Sequence, residues 1–310
     1  MSVLNDILLL SALALGGLGL VAFPAESAAA AREGLALCFE TVLPALFPFF
    51  VLSSLLIESG APRALGRALS GFMRPLFGVS GAGAGALALG LLGGYPVGAR
   101  TAAELYARGE VSREEAEQLL AFCNNSGPGF FLGVCGASVF HSVRAGAYLY
   151  LIHVLSALLT GVLLRRGSSV SRPDRRAAGD ASAFDLAAAF PAAVQSSFAA
   201  VWNVCGFVVL FMVLLRLLTL LPPLGGLPPL ARAALFGFVE MTNGAAALPA
   251  TRSGFVLCAA IMNWGGLSVQ AQTRAMVLPA GLSAGRCLPG KAVQTIVGLP
   301  LSLLAAARLF

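Results

Sequence analysis

Charged residues are scarce in this chain. Only 11% of its 310 residues are Asp, Glu, Lys or Arg, whereas a soluble globular chain carries about 25%. Hydrophobic residues make up 58% of the sequence, and the mean hydropathy is +0.86. This composition excludes a large soluble core and predicts a chain that crosses a lipid bilayer several times.

The basic residues lack the arrangement that nucleic acid requires. The net charge is +6, but the arginines lie at the ends of apolar runs and in one linker, and no basic face interleaved with aromatic residues is present. We therefore expect no nucleic-acid partner and interpret these residues as determinants of membrane topology.

Motifs for metals, disulfides and nucleotides are missing. None of the six cysteines forms a CxxC motif or stands at metal-finger spacing from His141 or His153, and most lie in apolar runs, where a free cysteine acts as a small hydrophobe. No GxGxxG motif stands between a strand and a helix. No Ser/His/Asp set or pair of acids converges in a readable way. We expect neither an enzyme nor a bound cofactor or metal.

Apolar runs of about bilayer length predict an all-α polytopic membrane protein. The first run follows Asn5 and Asp6, where a signal peptide would carry positive charge, so we interpret it as a retained transmembrane helix. The runs are Ile7–Phe23, Leu35–Ile57, Gly81–Val97, Leu119–Phe140, Ala145–Leu164, Val201–Leu221, Leu230–Leu248, Gly254–Val269 and Ala292–Phe310.

Two arginine-rich stretches, 59–80 and 165–185, are expected to be cytoplasmic loops. If the run at 81–97 crossed the bilayer, an odd number of spans would separate these loops and one of them would lie outside. A re-entrant hairpin at 81–97, bent at its glycines and at Pro96, leaves two spans and keeps both loops inside. We therefore predict a hairpin with a polar return over 100–117.

The sequence of the polar return, residues 100–117, predicts the start of a helix. Ser112 precedes Glu115 by three residues, which is the spacing of a capping box. Glu114, Glu115 and Glu117 suit the positive end of such a helix, and we interpret them as a solvated face.

Two segments of the first half contain residues that a continuous membrane helix tolerates badly. Gly93, Gly94, Pro96 and Gly98 interrupt the segment 91–105, and the sequence NNSGPG interrupts 119–133. Unwound backbone at membrane depth must be buried in protein or line a wet cavity. Paired interrupted segments are the best sequence pointer to the binding site of a transporter.

The second half repeats this order of parts. A span at 203–215 precedes a broken segment at 237–248 and a further apolar segment with Asn and Gly at 262–272. The basic linker gives the halves opposite orientation, which predicts an inverted-repeat transporter with re-entrant hairpins and broken helices. We divide the chain into an N-terminal helix and loop (1–34), a first repeat (35–164), a cytoplasmic linker (165–185) and a second, inverted repeat (186–310).

Close helix packing is the alternative explanation for the small residues. It accounts for Gly83, Gly85 and Gly90. It explains the Asn124–Asn125 pair and Glu240 poorly, because polar groups in apolar surroundings are costly and usually functional.

Several motifs together resemble a known family. GGYPVGAR, VSREEAEQLLAF, CNNSGPGFFLG, EMTNG and GGLSVQAQ are similar to the YlbJ family of sporulation integral membrane proteins. That family belongs to the nucleoside-recognition or Gate group, which looks like the core of concentrative nucleoside transporters. The resemblance covers residues 35–298. It implies export of dipicolinic acid into the forespore across the outer forespore membrane.

A site for dipicolinate, a small aromatic dianion, needs donors and positive potential. Unwound segments expose N–H groups that attract carboxylates. Arg100 is the candidate counter-charge, or else an interfacial anchor, and Tyr95 or Trp264 would stack on the ring or lie at the interface. The expected substrate-binding residues are Tyr95, Pro96, Gly98, Arg100, Asn124, Asn125, Ser126, Gly127, Thr242, Asn243, Gly244 and Gln270, with Gln272 as a neighbour of Gln270.

Glu240, the lone acid of its segment, would either bind a coupling proton or cation, or pair with an arginine and hold its hairpin shut. His141 and His153 are expected to be packing or interface residues.

The leading hypothesis is a secondary transporter for a small organic anion, dipicolinate, in the cell membrane that becomes the outer forespore membrane. The alternatives are a nucleoside transporter of the concentrative type and a non-transporting assembly component of a sporulation membrane complex. The expected partners are the small solute and the lipid bilayer, and a homo-oligomer is compatible with the sequence.

Overall fold

Helices form all the regular secondary structure in the part of the chain that the computed structural model describes, residues 14, 16–59, 61–165, 185–220 and 226–310. Residues 7–13 and 15 of the predicted first span, Ile7–Phe23, and residues 166–184 of the basic linker lie outside the described residues.

The helices follow one another along the chain, with π-helical segments at Cys38–Val42 and Phe130–Val139. They are α1 (Pro24–Leu37), α2 (Leu43–Glu58), α3 (Ala61–Phe77), α4 (Ala84–Gly93), α5 (Val97–Ala107), α6 (Arg113–Leu119), α7 (Val143–Leu163), α8 (Leu186–Thr219), α9 (Pro229–Val239), α10 (Met241–Ala246), α11 (Arg252–Trp264), α12 (Gly266–Val277) and α13 (Cys287–Leu309).

Four helical stretches among the described residues are long and apolar enough to cross a membrane: Val143–Leu163, Leu186–Thr219, Arg252–Ala280 and Cys287–Leu309. A fifth candidate is a pair of helices, Ala68–Phe77 and Gly81–Gly93, bent by 93° at the break between them. These stretches confirm the prediction of an all-α polytopic membrane protein.

The first interrupted segment forms a helical hairpin. Its tip is Gly94, at φ +83°, followed by the cis peptide Tyr95–Pro96. A Cβ added to Gly90 of α4 would lie 2.9 Å from the Cα of Gly98 in α5. The two arms therefore touch at a separation that only glycine allows, and the chain reverses where the sequence predicts a hairpin.

The polar return is helical. α5 and α6 occupy most of residues 97–119, and Ser112 caps α6 in a full capping box with Glu115. Hydrogen bonds from the Glu114 backbone and the Ser112 side chain hold the pKa of the exposed Glu114 carboxyl below its ordinary value. The predicted helix start at Ser112 is confirmed.

The stretch 59–80, which the sequence predicts as a loop, is mostly helix α3. In the sequence, the spacing of the arginines at positions 63, 67 and 74 is typical of an amphipathic helix. Sequence reasoning placed this stretch on the cytoplasmic side, which stays a prediction, and it did not foresee the helix, because charge content alone does not distinguish irregular backbone from an amphipathic helix.

A second hairpin consists of α9 and α10, which are separated by Glu240 in an extended conformation. A Cβ on Gly244 would lie 2.2 Å from the Cα of Gly237. This hairpin is therefore closed by a glycine pair across its tip, as the first one is.

Two further segments are interrupted. Residues 119–140, which the topology prediction treats as one span, are non-helical at 120–127, and helix resumes at Pro128 and continues as the π-helical segment. In the second half, α11 and α12 meet at Gly265 and Gly266, with φ of +80° and +82°. The last helix, α13, packs against α7 and α11, and α8 packs against α1 and α2.

Candidate functional site

A cavity of about 370 Å³ lies where the tips of the two hairpins meet. The first hairpin contributes Gly93, Gly94 and Tyr95 to its wall, and the second contributes residues 240–243. The rest of the wall is mostly apolar and includes Val204 of α8 and Phe130. The volume falls in the range of about 300–1,000 Å³ that small-molecule sites occupy.

Six of the expected substrate-binding and coupling residues line this cavity. They come from both halves of the chain and are Tyr95, Ser126, Gly127, Glu240, Thr242 and Asn243. Gln272 lines it as well, whereas its neighbour Gln270 is half-buried and lies outside the cavity wall. The structure thus brings together tips that lie far apart in the sequence.

The predicted glycines Gly98 and Gly244 are packing residues. A Cβ on Gly98 would lie 2.1 Å from the carbonyl oxygen of Cys123, and Gly244 touches Gly237 as described. Pro96 precedes α5 as its N-cap residue. None of the three belongs to the cavity wall.

Asn124 joins three elements. Its Nδ2 donates to Oγ1 of Thr273 in α12 at 2.8 Å, and its Oδ1 accepts a hydrogen bond from the backbone N–H of Ala99 at 3.4 Å. The second bond satisfies a donor in the first turn of α5 that has no partner within its helix. Asn124 therefore ties the first hairpin to the second half of the chain.

Arg100 lies in a network of protein groups and not in the cavity wall. The residue is only 7% exposed. Its guanidinium pairs with Glu104 at 2.7 Å, donates to Ser54 at 2.8 Å and to Ser196 at 3.0 Å, and lies over the ring of Phe50. The arginine fastens α5 to α2 and α8, and Glu104 already supplies its counter-charge.

Glu240 caps its own hairpin. One carboxylate oxygen accepts a hydrogen bond from Thr242 N at 3.0 Å, and the other accepts from Asn243 N and Nδ2 at 2.8 and 2.9 Å. Among the described residues no arginine forms an ion pair with it. The carboxylate both lines the cavity and holds Asn243 in place.

A second group of polar residues lies buried beside the cavity. Lys291 Nζ donates to Gln294 Oε1 at 2.8 Å and to Asn125 Oδ1 at 3.3 Å. Gln294 Nε2 donates to Asn125 Oδ1 at 3.1 Å. His153 Nδ1 lies 2.7 Å from Asn263 Oδ1. We call these five residues, Asn125, His153, Asn263, Lys291 and Gln294, the lysine cluster, and all are buried.

Two residues connect the lysine cluster to the cavity. Tyr95 lines the cavity, and its ring centroid lies 5.0 Å from Lys291 Nζ. Ser126 also lines the cavity, and its backbone N–H donates to His153 Nε2 at 3.1 Å. The cavity and the cluster therefore share a wall.

Of the lysine cluster, sequence reasoning found only Asn125. Lys291 stands immediately before the predicted run Ala292–Phe310 and looks like a flanking residue, but α13 begins at Cys287. A signal was available, because Lys291 is the only lysine in the chain and lies three residues from Gln294, on the same helix face. His153, expected to be a packing or interface residue, is a hydrogen-bonded member of the cluster. Trp264 stacks on Phe238 and lies outside the cavity wall.

Comparison with known proteins identifies the family. A profile of the Gate family, described as nucleoside recognition, matches residues 39–164. The chain is 32% identical over 288 residues to the sporulation integral membrane protein YlbJ of Bacillus subtilis (strain 168), covering 81% of this chain and 71% of that protein. This chain belongs to the YlbJ family. The resemblance predicted from its motifs is confirmed, and no solved structure matches the chain.

Membership in a family of integral membrane proteins agrees with the candidate membrane spans of the structure. The chain is an integral membrane protein of transporter-like build, related to a protein of sporulation. The Gate match covers α2 to α7, so the first hairpin and the NNSGPG segment both lie within the family's named region.

Proposed function

We propose that this chain is a secondary transporter that moves a small organic anion, dipicolinate, across the outer forespore membrane during sporulation. The observation that carries the proposal is the cavity whose wall is contributed by the tips of both hairpins, Tyr95 on one side and Thr242–Asn243 on the other. Membership in the YlbJ family supports the sporulation context.

The N-terminal end of a helix lies at the cavity wall and carries partial positive charge, which would attract an anion. Gly127, Gly129 and Phe130 line it, helix begins at Pro128, and no side chain caps the start of the π-helical segment at Gly129. Uncapped N–H groups at a helix start carry partial positive charge and attract carboxylates. The start of α10 is less suited to this role, because Glu240 already occupies its first N–H groups.

Movement of whole hairpins would give alternating access. Each hairpin is closed by backbone contact between its glycines, Gly90 with Gly98 and Gly237 with Gly244, so each behaves as one body. A change in the distance between the two tips would expose the cavity to one side of the membrane and then to the other. No nucleotide-binding motif is present in the sequence, which favours an ion gradient as the driving force.

Nucleoside transport is the second candidate. The side chains of Thr242, Asn243 and Gln272 in the cavity wall could hydrogen-bond a base or ribose without any charge, and the matching family profile is described as nucleoside recognition. The two candidates differ in the charge of the solute.

Flux of labelled dipicolinate and of labelled uridine into proteoliposomes that contain the full chain, with and without a pH gradient, tests the proposal. We expect saturable dipicolinate uptake that falls in Asn243→Leu, which fills the cavity wall with an apolar side chain, and persists in Gln270→Leu, the matched change outside it. Uptake of uridine alone would favour the second candidate. Uptake of neither solute would overturn transport and favour an assembly component.

A further inference from the structure

Lysine is used once in this protein. Of its 20 basic residues, Lys291 alone is a lysine and the others are arginines. Lysine carries a compact ammonium ion, whereas arginine carries a broad planar guanidinium, so the two residues do not replace each other at a crowded site. A chain that otherwise always uses arginine therefore has a specific requirement at position 291.

The ammonium group of Lys291 is buried without a counter-ion. The residue is 2% exposed and lies within the candidate membrane span Cys287–Leu309. Its contacts are two neutral amide oxygens and the face of the Tyr95 ring, and among the described residues no carboxylate pairs with it. An unpaired buried charge is costly, and ionisable residues inside a membrane usually mark a substrate or ion pathway.

The lysine cluster also has more hydrogen-bond donors than acceptors. Asn125 Oδ1 accepts from both Lys291 and Gln294, and Asn263 Oδ1 faces the ring N–H of His153. Nδ2 of Asn263 is buried with no partner. His153 Nε2 accepts from Ser126 N–H, so the ring carries its proton on Nδ1. A cluster with spare donors and one cation is suited to an acceptor-rich anion.

We infer that the lysine cluster is a carboxylate-binding subsite, reached from the cavity when the Tyr95 ring moves off Lys291 Nζ. The inference rests on the proposed transport function for its substrate, a small aromatic carboxylate. Lys291 supplies the charge and the amides of Gln294 and Asn263 supply donors. Tyr95, which borders both spaces, stacks on the ring of the solute and closes the subsite when it is empty.

Binding, measured apart from flux, tests the inference. The full chain in detergent is titrated with dipicolinate, with isophthalate (which has the two carboxylates but no ring nitrogen) and with the uncharged diamide of dipicolinate, and the unfolding temperature is followed. We expect both dicarboxylates to raise this temperature and the diamide to leave it unchanged. Lys291→Met should weaken dicarboxylate binding about 30-fold or more, as loss of one partner of a buried charge pair does.

Two further variants separate charge from shape. Gln294→Glu keeps the oxygen that lies 2.8 Å from Nζ and supplies an internal counter-ion, so it should fold and lose dicarboxylate binding even if Lys291→Met proves unstable. Arg144→Met removes an exposed positive charge outside the lysine cluster and should bind as the parent protein does.

The outcomes distinguish this inference from the proposed function. Unchanged dicarboxylate binding in Lys291→Met or Gln294→Glu, equal binding of the diamide, or no dicarboxylate binding by the parent protein would overturn the subsite. If the parent protein binds dicarboxylates through Lys291 but proteoliposomes show no flux, the proposed function fails and the subsite stands. If flux is saturable and Lys291→Met does not alter it, the subsite fails and the proposed function stands.

Discussion

The glycine pair that closes the second hairpin gives a quantitative prediction. In Gly244→Ala the new Cβ would lie 2.2 Å from Gly237 Cα and 2.3 Å from Gly237 N, whereas carbon atoms in contact lie about 3.5–4.0 Å apart. Both obstacles are backbone atoms, so α9 and α10 must separate by more than about 1 Å. Overpacking of this kind costs about 1–3 kcal/mol, and we expect the upper end of that range because no side chain can move aside.

The assay is thermal unfolding of the purified full chain, together with dipicolinate uptake. Gly244→Ala should lower the unfolding temperature by about 5–10 °C and reduce uptake, because Thr242 and Asn243 move with the hairpin. Gly206→Ala is the matched control. Nothing lies within 4 Å of a Cβ at Gly206, in the middle of α8, so alanine there should stabilise the helix by about 0.5–1 kcal/mol. Equal unfolding temperatures for the two variants would refute the close contact between the arms.

Three further changes test individual hydrogen bonds. Glu240→Ala removes the cap of α10 and should lower stability in denaturant by about 1–2 kcal/mol; an unchanged unfolding midpoint would show that the cap is not needed. Asn124→Ala leaves Ala99 N–H and Thr273 without a partner and should cost about 1–3 kcal/mol in the same assay, while a loss no greater than that of Gln270→Ala would contradict this. Ser112→Ala should cost about 1 kcal/mol and leave dipicolinate uptake intact, because α6 lies outside the cavity wall; lost uptake would place α6 in the transport path.

Features that depend on neighbouring residues could be predicted from the sequence. The capping box at Ser112 rests on contacts within one short segment, where the spacing of residue types fixes the geometry. The hairpin at 81–97 follows from the number of spans between the two basic stretches, and its glycines and Pro96 mark the bend. Glu240 differs from both of its predicted roles, because its carboxylate caps α10. Glutamate is not among the residue types preferred at an N-cap, so the sequence did not indicate this role.

Long-range polar contacts could not be predicted in this way. Asn125 and Lys291 are 166 residues apart in sequence, and no periodicity relates them. Arg100 shows the same limit. Its i,i+4 partner Glu104 is visible in the sequence, but the serines of α2 and α8 that complete its network are brought in by the fold. The sequence therefore indicates which residues are polar in apolar surroundings, and the fold decides which of them meet.

The two hairpins are not equivalent in their surroundings. The first is clamped on both arms, because Gly90 and Gly98 lie against the same carbonyl oxygen of Cys123 in the largest buried cluster. The second reaches a more open region. Asn243 borders both the main cavity and a smaller one of about 180 Å³, which also contains the exposed ion pair of Glu33 with Arg216. Of the described residues that line these two cavities, Asn243 alone belongs to both. Displacement of the second hairpin would therefore join the cavities, and it would have to break the hydrogen bond from Trp264 Nε1 to the carbonyl oxygen of Phe238. The same displacement of the first hairpin would have to break the contacts of Gly90 and Gly98 with Cys123.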